Sequence, residues 1–365
     1  MKKIIKILLC IIAVSLLVAV SKIISLNIAK NIFINSSGKS GIKYGYVDKT
    51  GLLLIKPQFD DSGDFKEGLA YACNEKCGYI NKTGEFVIKP QYEKASNFRE
   101  DLASVRIDDK SGYINKTGKF IVKPQFVFAG EFHEDLACVL IKDGSKFKEG
   151  YIDKTGKILM TFPHDEIFYS TISDFYNGIA SIRVNKKYGF INKKGEMVVP
   201  PQFESLYTNL DDFETTPIPV KTNNHRWNYV NSTGKFVIGL QFDSAYPFKE
   251  GVALVESENK RGYIDKTGGF VIKPQFDNAG HFREGLAPVI LDNKRGYINK
   301  KGEMVIKPQF EKLRYPADGM FYEERAVVVI NNKVGFIDKS GKLVVKPVFD
   351  DGSRFSEGLA KVGVK

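Results

Sequence analysis

One short motif returns nine times between residue 45 and the C-terminus, which limits the chain to architectures built from stacked copies. Its clearest copy reads Gly262-Tyr263-Ile264-Asp265-Lys266-Thr267-Gly268, then Phe270-Val271-Ile272-Lys273-Pro274-Gln275-Phe276, then Phe282-Arg283-Glu284-Gly285-Leu286-Ala287. Copies start at Gly45, Gly78, Gly112, Gly150, Gly189, Asn228, Gly262, Gly296 and Gly335, at intervals of 33 to 39 residues. A unit this small cannot bury its own apolar face, so neighbours must stack. The 365 residues are therefore read as one repeat array, not as several ordinary domains.

Each copy predicts three short antiparallel strands. The first is a Leu-Ala strand, as in Leu102-Ala103-Ser104-Val105-Arg106-Ile107, where Ala103, Val105 and Ile107 share a face. The Gly-Tyr-Ile strand follows. An Asx-Lys-Thr-Gly sequence then fits a type I turn with its glycine left-handed. The third strand, as in Phe86-Val87-Ile88, is expected to end at Lys89-Pro90, because proline has no N–H for a ladder. A loop with a recurring phenylalanine (Phe65, Phe98, Phe132, Phe175, Phe248, Phe282, Phe355) leads onward, and these rings are expected to plug the seam between units. The fold class is all-β: a tandem array of nine three-stranded antiparallel units behind an N-terminal hydrophobic helix. Such units can form a propeller-like ring or an open β superhelix. The array begins at a Gly-Tyr-Val strand and ends at Gly358-Leu359-Ala360-Lys361-Val362, so its ends are complementary fragments of one unit. That favours a ring closed by pairing first and last strands, which removes exposed edges.

These residues resemble the WG-repeat family, also called KWG repeats, found widely in bacterial proteins. The shared pattern is Lys-Trp-Gly-Tyr/Phe-Ile-Asp-Lys-x-Gly, an apolar strand with Pro-Gln-Phe/Tyr-Asp, then Phe-x-Glu-Gly-Leu-Ala. The namesake tryptophan is replaced by Tyr44, Cys77, Ser111, Tyr188, Arg261, Arg295 or Val334, and Trp227 keeps the position but precedes Asn228. The resemblance implies a β-repeat architecture and a binding role, with no shared catalytic activity and no cofactor.

The N-terminus reads as an address. Lys2, Lys3 and Lys6 precede an apolar run from Ile7 to Ser21. That is a secretory signal pattern, with a cleavage site near Ser21. Alternatively, residues 4–26 span the membrane as an uncleaved anchor, with Lys6 and Lys22 snorkelling. The organisation is thus 1–26 signal peptide or membrane anchor, 27–41 linker, and 42–365 array. Either reading exports the array, leaving it secreted, periplasmic or membrane-anchored facing outward. The formal charge of +11 (54 Lys+Arg against 43 Asp+Glu) invites a nucleic-acid reading. Seven lysines and no acid lie in residues 1–43, so residues 44–365 carry 47 against 43, or +4. Export and near-balance argue against a nucleic-acid partner.

No catalytic constellation stands out, and no enzyme activity is expected. The repeated acids, such as Asp48, Asp153, Asp265 and Asp338 in turns and Glu67, Glu134, Glu284 and Glu357 before Gly-Leu-Ala, read as turn-formers and partners of the equally regular lysines. Lys56, Lys89, Lys123, Lys273, Lys307 and Lys346 precede the proline and read as solvated strand ends, or as a basic row for anions. His133, His164, His225 and His281 fall at unrelated repeat positions, and no metal site is expected. Cys73 and Cys77 flank a three-residue turn and are a disulfide candidate in an oxidising compartment. The least regular stretch is copies four to six, where residues 207–226 lead into His225-Arg226-Trp227-Asn228-Tyr229. Aromatic and arginine side chains on a loop above a rigid scaffold suit a binding site, so the candidate ligand-binding residues are Tyr207, His225, Arg226, Trp227 and Tyr229. The expected function is non-catalytic binding of a protein or glycan partner at the cell envelope. A propeller-type glycan hydrolase and a purely structural envelope scaffold are the alternatives.

Overall fold

A computed structural model describes residues 41–163, 172–207, 217–313 and 319–365. The expected N-terminal helix, nearly all of the linker, and His164 lie outside the described residues. Residues 42–365 form one compact unit. Nine antiparallel sheets follow one another in a closed, propeller-like ring. We number the blades by their Gly-Tyr strand, strand c. It is Lys43–Asp48 in blade 1, Cys77–Ile80 in blade 2, Lys110–Asn115 in blade 3, Lys146–Ile152 in blade 4, Lys187–Asn192 in blade 5, Trp227–Val230 in blade 6, Lys260–Ile264 in blade 7, Lys294–Asn299 in blade 8 and Lys333–Ile337 in blade 9. The Leu-Ala strand before it is b, and the Lys-Pro-Gln-Phe strand after it is d.

Blade 1 is built from both ends of the array. Leu359–Val364 supplies strand b and pairs in unbroken register with Lys43–Asp48, from Lys43↔Val364 to Asp48↔Leu359. The ring is therefore complete within residues 43–364. Six sheets have four strands, one more than expected. The extra strand a lies in the segment read as a loop, for example Asp61–Ser62, Lys94–Ala95 or Asn278–Ala279. It is two residues long in blades 2, 3 and 8, and six residues long with a register shift in blades 1, 4 and 7, so it carries no readable period. Strand d also runs further than expected, through Lys-Pro to the phenylalanine, as in Leu53–Phe59. Tyr44 pairs with Phe59 but Tyr46 with Ile55, so d bulges by two residues around Lys56-Pro57. The proline sits in that bulge on an edge strand, where its missing N–H costs no ladder bond. The bulge folds over the motif glycine: a Cβ on Gly45 would lie 2.2 Å from the Ile55 carbonyl oxygen and 2.6 Å from Pro57 N.

In a closed ring of sheets one edge faces inward and the other outward. The inner circumference is shorter and suits the two-residue a strands. The seven-residue d strands, with their exposed side chains, form the outer rim.

Three recurring contacts tie neighbouring blades together. First, the strand-c tyrosine hydroxyl donates to a carbonyl of the next blade's strand-a segment: Tyr46 to Gly63 (2.7 Å), Tyr79 to Ser96 (2.8 Å), Tyr113 to Gly130 (2.8 Å), Tyr263 to Gly280 (2.7 Å), Tyr297 to Gly319 (2.9 Å). The recurring phenylalanine packs edge-on against the same ring, as Phe65 on Tyr46 and Phe282 on Tyr263, so the phenylalanines do fill the seam. Second, the Asx-Lys-Thr-Gly turn abuts the preceding blade. Asp265 Oδ1 accepts from Thr267 N, Thr267 Oγ1 and Gly269 N, and Gly268 takes φ 90°. A Cβ on Gly268 would lie 2.7 Å from Ile238 Cγ2. The Thr267 hydrogen bonds hold the Asp265 carboxyl below its usual range, as expected of a turn-former. Third, the glutamate of Phe-x-Glu-Gly accepts a backbone N–H and a lysine from the next blade. Glu67 takes Asp101 N and Lys116, and across the closure Glu323 takes Gly358 N and Lys49. These glutamates are left-handed (Glu67 φ 53°, Glu323 φ 52°) at the first corner of the a–b hairpin turn.

Replacing Tyr263 with Phe leaves the buried Gly280 carbonyl without its donor. The Tyr263→Phe array should lose about 1–2 kcal/mol in a urea titration. Gly262→Ala, which drives a Cβ to 2.6 Å from the Ile272 carbonyl oxygen, should cost more than that.

Candidate functional site

The third seam contact recurs at seven junctions, and at the two junctions of blade 6 the a–b turn that would take part lies outside the described residues. Asn177 stands where blade 5 would carry its glutamate, and Ser232 where blade 6 would carry its lysine. Blade 6 also lacks a regular strand d. Asn228 occupies the motif-glycine position and is buried, with its Oδ1 accepting from Tyr229 N. A side chain there cannot coexist with the usual bulge, so the outer segment withdraws. It stays attached through bridges at Trp227–Phe242 and Val230–Phe236, a Val237 N–H bond to the Tyr229 carbonyl, and the buried side chains of Ile238 and Phe242. Gly239 and Leu240 replace Lys-Pro, and a Cβ on Gly239 would meet nothing.

The withdrawal opens a cleft of about 390 Å³ between blades 5 and 6, lined by Gln202, Phe203, Thr222, Asn223, Asn224, Phe236 and Gln241. Four side-chain amides and one hydroxyl face it beside the exposed ring of Phe236. Asn224 Nδ2 donates to Gln241 Oε1 (3.1 Å), and Lys187 Nζ to Asn223 Oδ1 (2.5 Å). The amides thus hold fixed donor and acceptor directions in a neutral wall.

The five predicted ligand-binding residues separate. His225 and Arg226 lie on the b–c turn beside the cleft, paired with Glu204 (2.7 Å) and Asp243 respectively. Trp227 turns the other way and packs on Tyr207 (5.6 Å between ring centres). Tyr229 is fully buried, its hydroxyl donating to the Tyr246 carbonyl (2.9 Å), so it is a seam tyrosine and not a surface contact. Its alignment with Tyr263 in the repeat carried that signal already.

Tyr207 leads into a second feature that sequence reasoning missed. Tyr207 packs on Tyr246 (5.5 Å), Arg261 lies over the Tyr246 ring (5.5 Å), and His281 meets its edge (5.7 Å). Arg261 is fixed by Glu256 (3.2 Å) and by Asn278 of the next blade. Tyr207 and Tyr246 occupy a strand-a position that is Gly63, Ser96, Gly130, Ser173, Gly280, Gly319 or Ser353 elsewhere. Comparing copies position by position would have found the pair. Burial, helped by the Lys249 and Arg261 charges, pushes His281 down to about 4.

Cys73 and Cys77 form a disulfide across the b–c turn of blade 2. Cys138 is a buried free thiol on strand b of blade 4, its pKa raised by burial. Among the described residues no group of three or more His, Cys, Asp or Glu side chains could hold a metal ion.

The WG containing repeat matches residues 44–76, 78–110, 112–144, 169–188, 188–212, 227–260, 262–294, 296–333 and 335–364. Its two shortest matches, 169–188 and 188–212, adjoin the cleft. No protein of curated function matches the sequence. Among solved structures, the eukaryotic initiation factor aligns over 75% of this chain and 82% of its own, at 10% identity and TM-score 0.49. Hsv2 of Kluyveromyces lactis aligns over 66% and 87%, at 9% identity and TM-score 0.37. PorZ, a surface component of the type-IX secretion system of Porphyromonas gingivalis, aligns over 81% and 45%, at 10% identity and TM-score 0.31. These low scores carry no functional argument.

The His281 environment sets a pH dependence. The unfolded chain binds a proton near the ordinary value of 6.5, the folded chain only near 4. Between those values protonation favours unfolding, so stability should fall as pH drops through the window, by on the order of 3 kcal/mol. Urea midpoints at stepped pH should show this slope, and His281→Asn should flatten it.

Proposed function

The chain belongs to the WG-repeat family, and on that premise we propose that it is an exported, non-catalytic binding protein of the cell envelope whose ligand is a neutral glycan. The cleft between blades 5 and 6 carries this reading. Planar amides held by one another suit the paired hydroxyls of a sugar, and an exposed phenylalanine ring suits its apolar face. Neutral walls disfavour a strongly charged ligand. Export rests on the Lys2-Lys3 and Ile7–Ser21 pattern of the N-terminal sequence.

A glycosidase would need two free carboxylates about 5–10 Å apart. The repeated acids have other employment: aspartates in turns, glutamates on the next blade's backbone and lysine. A protein partner is the remaining reading of the same cleft, and it predicts binding without oligosaccharide competition.

Calorimetric titration of the array with neutral envelope oligosaccharides should give saturable binding. Asn224→Ala with Gln241→Ala, and separately Phe236→Ala, should each weaken it by about tenfold or more. Release of smaller sugars from the ligand would overturn the non-catalytic reading. Equal affinity in all variants would remove the cleft as the site.

A further inference from the structure

Three of the repeated lysine series differ in what they pair with. Turn lysines such as Lys49, Lys82 and Lys116 pair with the seam glutamates. Lysines opening strand c, such as Lys43, Lys260 and Lys333, pair with the aspartate after strand d, at 2.6–2.7 Å. The lysines before the proline, Lys56, Lys89, Lys123, Lys273, Lys307 and Lys346, are all exposed and, among the described residues, take part in no ion pair. They occupy six consecutive blades, 7, 8, 9, 1, 2 and 3. Blades 4 to 6 carry Thr161, Pro200 and Gly239 instead.

The rim is also apolar, and unevenly so. Every blade exposes one or two large apolar side chains at the start of strand d, such as Phe86 and Val87. Blades 9 and 1 add two that the repeat does not call for. Leu52 stands where the other copies have Glu85, Lys119, Lys157, Glu196, Lys235, Gly269, Glu303 and Lys342. Val348 stands where most have glutamine, as at Gln58, Gln91 and Gln125. They are the two most exposed large apolar residues described, at 60% and 57%. Gly51 packs on Val345 of blade 9, which sets Leu52 beside that blade's strand d. Leu52, Leu53, Leu54, Leu343 and Val348 therefore lie on one sector of the rim, among Lys346, Lys56 and Lys89. Residues 1–41 also join the ring here, through Ile42 into strand c of blade 1.

We propose that the rim of blades 9, 1 and 2 docks on an anionic lipid bilayer, with Leu52, Leu53, Leu54 and Val348 entering the headgroup region and Lys56, Lys89 and Lys346 meeting lipid phosphates. Charge complementarity selects an anionic surface. Exposed leucine and valine at positions that are polar elsewhere select lipid over a soluble polyanion, which needs only the charges. The ring stands on edge, and the sector whose strand d lacks the pre-proline lysine, with the blade 5/6 cleft, points away from the membrane.

The ring closes within residues 43–364, so the array of residues 42–365 is testable by itself. It should float with phosphatidylcholine vesicles containing phosphatidylglycerol, poorly with phosphatidylcholine alone, and less as salt rises. Leu52→Glu with Leu54→Glu should reduce binding at least tenfold, and Lys56→Ala, Lys89→Ala and Lys346→Ala by roughly fivefold each. Leu159→Glu with Val198→Glu, on blades 4 and 5, should leave it unchanged. Unaltered urea midpoints would show that each variant is folded. No flotation of the unmodified array on anionic vesicles would overturn the proposal, as would equal loss from the blade 4 and 5 pair. Normal binding by the Leu52 variant, with inorganic polyphosphate displacing the array, would replace lipid with a polyanion.

Discussion

The ring depends on a hydroxyl that crosses seven of its nine seams. Strand a is either two residues long or broken by a register shift, and the carbonyl at that point is turned to the neighbouring blade. The strand-c tyrosine supplies the missing donor, as Tyr46 does for Gly63 and Tyr263 for Gly280. Burial holds such hydroxyls protonated, so they remain donors through the ordinary pH range. One neutral hydrogen bond adds only about 1 kcal/mol net, but leaving the carbonyl unmet costs more. The hydroxyl therefore fixes where the next blade sits. The edge-on phenylalanine and the turn glycine then exclude other spacings. Where Phe190 and Phe336 replace the tyrosine, the aromatic ring stays and the donor is lost.

Much of this was legible because the signals are local and repeated. The Asx-Lys-Thr-Gly turn, the alternation in strand b and the complementary ends each carry direct physical meaning, and the observed closure joins those ends. Strand a was hidden because it is either two residues long or interrupted by a register shift, and neither holds a steady period. Strand d was cut short because proline was read as a terminator, whereas a bulge on an edge strand has no N–H for it to forfeit. The candidate site was only partly readable. Its location in the irregular copies was visible, but Tyr229 looked like a ligand contact only while read along the chain. Read down the repeat column it is the seam tyrosine. The row of Tyr207, Tyr246, Arg261 and His281 is likewise assembled from separate copies by stacking.

Once the repeated residues are assigned to seams, the departures from the repeat become the informative positions. Asn228 and Gly239 belong to one event, in which a side chain fills the glycine site and the outer segment, freed of its bulge, withdraws. A cleft results at the blade 5/6 seam, while Tyr229 still bonds across the blade 6/7 seam. Leu52 and Val348 are departures of another kind. Neither is buried and neither serves a seam, so packing does not account for them.

A ring of equal blades has no front, top or base, and a function that needs a direction must come from broken symmetry. Closure decides where the breaks fall. Pairing Lys43–Asp48 with Leu359–Val364 puts both array termini in blade 1. In a nine-membered ring the position opposite blade 1 is the junction of blades 5 and 6. The cleft and the blades without a pre-proline lysine lie there, and the extra apolar residues lie beside the termini. An open superhelix of the same units would place these features along a rod, with the termini at its two ends. The same strand pairing that removes the exposed edges thus also sets the side of the ring that holds the array's two ends against the side that holds the cleft, and the departures follow that division.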